Sequence, residues 1–179
     1  MTPTVDQLHR LEPAAYRWLV RTYRDRLLRY FVGSTGDREL GDELVARTFA
    51  SLVDAFHRRR SRPENLTAFV FGVARNHLRH HRRDRRPVAP VAALDTVPDP
   101  APDATRTVVG DQELQRVLGW IGAFDETVRE VFVLRFVEDM SIADIAALTG
   151  QPPGTIKSHI HRGRRALRAQ LDRDTKESS

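Results

Sequence analysis

The chain has 179 residues, 40% of them apolar and a formal net charge of +5, enough to bury a core in one domain or two small ones. It contains no cysteine, which excludes disulfides, thiolate metal sites and cysteine nucleophiles. No apolar run approaches the roughly 18 residues that span a bilayer, and Asp6, Arg10, Glu12 and Arg17 break up the first twenty positions, so no signal peptide is expected and the cytoplasm is the expected compartment.

Tyr16, Leu19, Val20, Tyr23, Leu27 and Phe31 recur at helical spacing and predict a first helix, with a break over Gly33 to Gly36. A second helix carries Leu40, Leu44, Val45, Thr48, Phe49, Leu52, Val53 and Phe56 on one stripe. A third runs from about Leu66 to Arg83, with Phe69, Val70, Val73, Ala74, His77 and Leu78 on one broad side and Arg75, Asn76, Arg79, Arg82 and Arg83 on the other. No segment alternates as a strand would, so the fold class is all-α. From His57 to Arg86 there are ten arginines against Glu64 and Asp84. A merely solvated face mixes signs, so this one points to a polyanion.

Pro87 to Gly110 holds five of the ten prolines and three aspartates without periodicity, and reads as a flexible linker. Two small helical domains are therefore expected, residues 1–86 and 111–172, with 173–179 a disordered tail that frays from Lys176. In the second domain Leu114, Val117, Leu118 and Ile121 mark one helix, and Asp125 is placed to cap another through Val128, Val131, Phe132 and Phe136. Ser141 and Asp144 form a capping pair for a short helix with Ile142, Ile145, Ala146 and Leu148, which stops at Gly150. Pro152-Pro153 opens the last helix, near Pro153 to Leu171. That order is the grammar of a helix-turn-helix. On the last helix Ile156, Ile160, Gly163, Leu167 and Leu171 share a narrow apolar stripe. The opposite face is Thr155, Ser158, Arg162 and Arg165, flanked by Lys157, His161 and Arg168, with no acid from Pro152 to Arg168. Such a face suits the major groove: hydroxyls and lysine take phosphates, and arginine reaches guanine bidentately.

Other classes fit less well. His77, His80 and His81 cluster, and His77/His81 have the spacing of a helical metal pair, but that helix offers no third ligand nearby. Nothing matches a phosphate loop, a nucleophile elbow or a carboxylate pair. No catalytic residue, metal, cofactor or small-molecule substrate is expected. A dimeric helix-turn-helix regulator that only binds duplex DNA leaves the second arginine-rich helix unexplained, and its sensor half would show a strand and helix alternation. A scaffold that binds no DNA is opposed by two basic faces.

Arg129-Glu130-Val131-Phe132-Val133-Leu134-Arg135-Phe136, Ser141-Ile142-Ala143-Asp144-Ile145-Ala146 and Gly154-Thr155-Ile156-Lys157-Ser158-His159-Ile160-His161-Arg162-Gly163-Arg164 resemble region 4 of extracytoplasmic-function (ECF) sigma factors of the sigma-70 family. Leu27-Leu28-Arg29-Tyr30, Glu43-Leu44-Val45, Thr48-Phe49 and Ala74-Arg75-Asn76 are similar to region 2 of that family, in the same order. The resemblance implies a factor that binds core RNA polymerase through the β′ clamp helices and the β flap, and that initiates transcription at promoter DNA. It implies that residues 1–86 bind the polymerase and open the −10 element while residues 111–172 bind the −35 element. On that reading the −35 contacts are Thr155, Lys157, Ser158, His161, Arg162 and Arg165. The −10 contacts are Arg58, Arg62, Asn65, Arg75, Asn76, Arg79, Arg82 and Arg83, because melted strand needs a cationic surface. The polymerase contact is Glu43-Leu44-Val45-Ala46-Arg47, which stands where Asp-Leu-Val-Gln-Glu is common, and His159 stands where arginine is frequent. An anti-sigma factor is a further implied partner.

Overall fold

The structure, a computed structural model, describes residues 2–10, 12–58, 62–85, 119–122 and 124–177. The expected linker, and most of the expected helix at Leu114, Val117 and Leu118, lie outside those residues. The described residues form helices without a strand.

A short α1 (Val5–His9) is closed by a capping box between Thr4 and Gln7. Helix α2 (Pro13–Thr35) starts with proline at its first turn and ends at Gly36; Gly33, expected in the break, is inside the helix and buried. Asp37 caps α3 (Arg38–His57), and the Asn65 Oδ1 accepts from the Ala68 N–H at the start of α4 (Leu66–Arg85). Leu19, Tyr23, Leu27 and Phe31 of α2 pack with Leu44, Leu52 and Phe56 of α3 and with Val70, Ala74 and Leu78 of α4.

In the second part Asp125 caps α5 (Glu126–Phe132), as its position predicts. The expected continuation to Phe136 as one α-helix is not what forms. Val133–Val137 widens into a π-helical turn, in which the Glu138 N–H donates to the Val133 carbonyl at 3.1 Å. The extra residue per turn rotates the side chains beyond it about the helix axis. Phe136, expected on the apolar stripe, is consequently 42% exposed, while Glu138 is turned inward and buried. Ser141 caps α6 (Ile142–Thr149), and Gly150 ends it at φ +72°, a conformation glycine adopts without Cβ strain. The last helix, α7 (Pro153–Glu177), runs past the expected boundary. Residues 173–177 are helical rather than tail, because no glycine or proline stops the run. Ile156 and Gly163 seat α7 on Phe124 and Phe132. A Cβ at Gly163 would meet the Phe132 ring at 2.5 Å.

The two parts pack on each other, α2 against α5 and the π turn, α4 against α6, in one continuous core.

Candidate nucleic-acid interface

The cap, turn and proline sequence Ser141, Gly150, Pro153 sets α6 and α7 at a helix-turn-helix, and the stripe anchored by Ile156 and Gly163 decides which side of α7 faces out. Thr155, Lys157, Ser158, His161, Arg162 and Arg165 are all exposed on it. The structure thus gathers all six expected −35 residues on open surface. Ser158 spends its hydroxyl proton on the Gly154 carbonyl at 3.0 Å. The Arg162 guanidinium donates to His159 Nδ1 at 2.7 Å. His159 itself is buried, and burial together with Arg162 holds its imidazole below the usual histidine range, against the pull of Asp125.

The arginine-rich part divides into two groups. Asn76, Arg79 and Arg83 of α4 are exposed, and Arg83 lies 3.0 Å from His80 Nδ1. Arg58 pairs with Asp54 at 2.6 Å and Arg62 with Asp6 at 2.9 Å, while Asn65 serves as the α4 cap. Arg75 and Arg82 are not on open surface. Arg75 Nε donates to Glu130 Oε1 at 2.9 Å, and Arg75 also reaches the Leu148 carbonyl. Arg82 pairs with Glu126 at 2.7 Å and donates to the Ser34 carbonyl. The same seam carries Arg26 on Glu138 at 2.9 Å, Arg29 on Glu138 at 3.5 Å, and the buried Tyr30 hydroxyl donating to Glu130 at 3.0 Å. Three carboxylates of the second part therefore hold four arginines of the first. Burial, and then the Glu130 charge, push the Tyr30 phenol well above its usual value. Burial also raises the Glu138 carboxyl, although Arg26 and Arg29 oppose it.

Within the expected polymerase contact, Glu43, Ala46 and Arg47 face outward and Glu43 pairs with Arg47, whereas Leu44 and Val45 are buried in the core. Among the histidines, His77 Nε2 lies 2.9 Å from Ser51 Oγ, and burial, Arg47 and His80 lower its affinity for a proton. No group of three metal-ligating side chains comes together among the described residues.

A family model of sigma-70 region 2 matches residues 19–88, and one of sigma-70 region 4 matches residues 121–167. The ECF RNA polymerase sigma factor SigC of Mycobacterium tuberculosis (strain CDC 1551 / Oshkosh) is 31% identical over 147 residues, covering 80% of this chain and 77% of the relative. The chain belongs to the sigma-70 family, in its ECF branch. As a sigma factor it directs promoter-specific transcription initiation by RNA polymerase. The sigma factor CarQ of Myxococcus xanthus is 29% identical over 161 residues, covering 88% and 89% of the two chains. Two solved structures share the fold: CnrH in complex with the cytosolic domain of CnrY (TM-score 0.71, 24% identity, 95% of this chain and 96% of that one), and RpoE with the anti-sigma factor NepR from Bartonella quintana (0.66, 22%, 88% and 96%). In this sigma factor, region 4 supplies α7 and the carboxylates of the seam, and region 2 supplies the arginines they hold.

Sequence reasoning missed Glu126, Glu130 and Glu138, with Arg26, Arg29 and Tyr30 opposite them. A signal was present in Glu130, a charge set in the apolar run Val128, Val131, Phe132, since a charge in such a run needs a partner.

Proposed function

We propose that this sigma factor reads the duplex −35 element with the outward face of α7 and opens the −10 element with the basic face of α4. The observation that carries this reading is the open face of α7, where six polar and basic side chains point outward behind a capped helix-turn-helix with no carboxylate among them. Asn76, Arg79 and Arg83 are available to the melted strand directly. Arg75 and Arg82 join them once regions 2 and 4 part and Glu130 and Glu126 release them. The outward residues Glu43, Ala46 and Arg47 of α3 form the contact with the β′ clamp helices, and region 4 meets the β flap. The protein acts as a polymerase subunit in the cytoplasm and has no catalytic centre of its own.

The closed seam also supports an anti-sigma partner that holds regions 2 and 4 together, by analogy with the complexes of CnrH and RpoE that share this fold. Run-off transcription with reconstituted holoenzyme tests the whole reading. Start-site-specific transcripts from a subset of genomic fragments are expected. Their absence on every fragment overturns it.

A further inference from the structure

We propose that His159 is a positioning residue for promoter reading: its ring accepts a hydrogen bond from Arg162 at Nδ1 and so holds that exposed guanidinium in one place on the reading face of α7. The proposal rests on the reading of α7 as the −35 helix. An arginine has only donors, so the 2.7 Å contact requires a lone pair on Nδ1 and therefore the tautomer with its proton on Nε2. The two residues are three apart on one helix, which brings their side chains over the same patch.

What makes the pair more than an ordinary surface contact is the asymmetry of burial. His159 is 8% exposed, while Arg162 stands in solvent. A surface arginine normally samples many rotamers and loses them when it binds. Here one end of the contact is fixed in the protein, so part of that ordering precedes binding. The charged groups acting on the ring are Arg162 on its own helix and Asp125, the residue that caps α5 through the Val128 N–H at 2.9 Å. Burial and Arg162 outweigh Asp125 and lower the ring's affinity for a proton. Protonation would remove the Nδ1 acceptor and set two cations side by side, so the tether fails on acidification.

The test uses holoenzyme and promoters carrying each single-base change in the upstream element, and scores the ratio of transcript from the parent promoter to transcript from each variant. Arg162→Ala comes first: an unchanged ratio at every position means that α7 does not read bases through Arg162, and both the reading and this proposal fall. If Arg162→Ala lowers the ratio at one position, His159 is tested there. His159→Phe keeps a ring in the slot and removes the acceptor, and is expected to lower that ratio about 2- to 10-fold, the equivalent of one unfixed side chain. His159→Asn keeps an acceptor but does not titrate, and is expected to retain the ratio. As pH falls below about 6.5, the ordinary histidine value under which this ring is held, the wild-type ratio is expected to fall while that of His159→Asn stays level. In an Arg162→Ala background His159→Phe should have no further effect. The proposal is overturned, with the −35 reading intact, if His159→Phe discriminates like wild type, or if wild type and His159→Asn share one pH profile.

Discussion

Glu130→Ala should open the arrangement in which regions 2 and 4 face each other. The Glu130 side chain is 8% exposed and that of Arg75 16%, so this pair lies largely out of water. Deleting the carboxylate strands the Arg75 guanidinium and the Tyr30 hydroxyl in the closed form, and removing one partner of a buried pair costs about 3–5 kcal/mol. Once the two regions part, Arg75 is hydrated and the penalty disappears. Only the closed form is penalised, and at about 1.4 kcal/mol per decade the closed-to-open ratio falls by roughly two to four decades. Glu130→Gln, which keeps an acceptor for Tyr30, should fall between that variant and wild type. The absence of native cysteine makes the measurement direct: dyes on Ala50→Cys and Ala166→Cys, both exposed sites, report the separation of α3 and α7 by energy transfer. Transfer should drop in Glu130→Ala, and affinity for a labelled −10 single strand should rise as Arg75 is freed. Glu43→Ala, which breaks the exposed pair with Arg47, is the control, and at about 0–1 kcal/mol should change neither. A folded Glu130→Ala protein with wild-type transfer and wild-type strand affinity would refute the reasoning.

Gly163→Ala should destabilise region 4 by about 1–3 kcal/mol through overpacking against Phe132, whereas Gly154→Ala, where a Cβ meets nothing within 4 Å, should be neutral or stabilising; thermal melts compare the two. Stability should also fall on acidification. His159 and His77 are both held below the ordinary histidine value, so the unfolded chain takes protons that the native fold resists, and their contribution is complete above about pH 6.5 and lost as pH falls below it. Urea midpoints across that range check the sign, and a midpoint that rises on acidification contradicts it. Lys157→Ala should weaken −35 duplex binding almost evenly across sequences and lower the salt slope by about one; a change confined to one base position would assign Lys157 to base reading instead.

Most helices, and the caps Asp125, Ser141 and Gly150, were legible in the sequence because their signals sit within a few residues of the structure they cause. The π turn was not. An apolar run such as Val131 to Phe136 has the same composition in either helix, and only the later placement of Glu138 in the core and Phe136 at the surface separates them. Leu44 and Val45 satisfied two patterns at once, a helix stripe and a family contact motif, and their burial shows the stripe. The seam was hidden for a different reason. Phe71, fully buried, lies one helical turn before Arg75 on the side of α4 that its arginines mark as solvent-facing, and the groups that Arg75 meets there, Glu130 and the Leu148 carbonyl, come from 55 and 73 positions away. A row of arginines announces that an anion will be bound, but a guanidinium accepts a carboxylate as readily as a phosphate. Local pattern therefore identifies Arg75 and Arg82 as anion-seeking and leaves the anion unnamed. In the closed form that anion is the chain's own Glu130 and Glu126, so on the proposed reading of α4 the strength of these two pairs sets how readily the same arginines become available to a nucleic-acid strand.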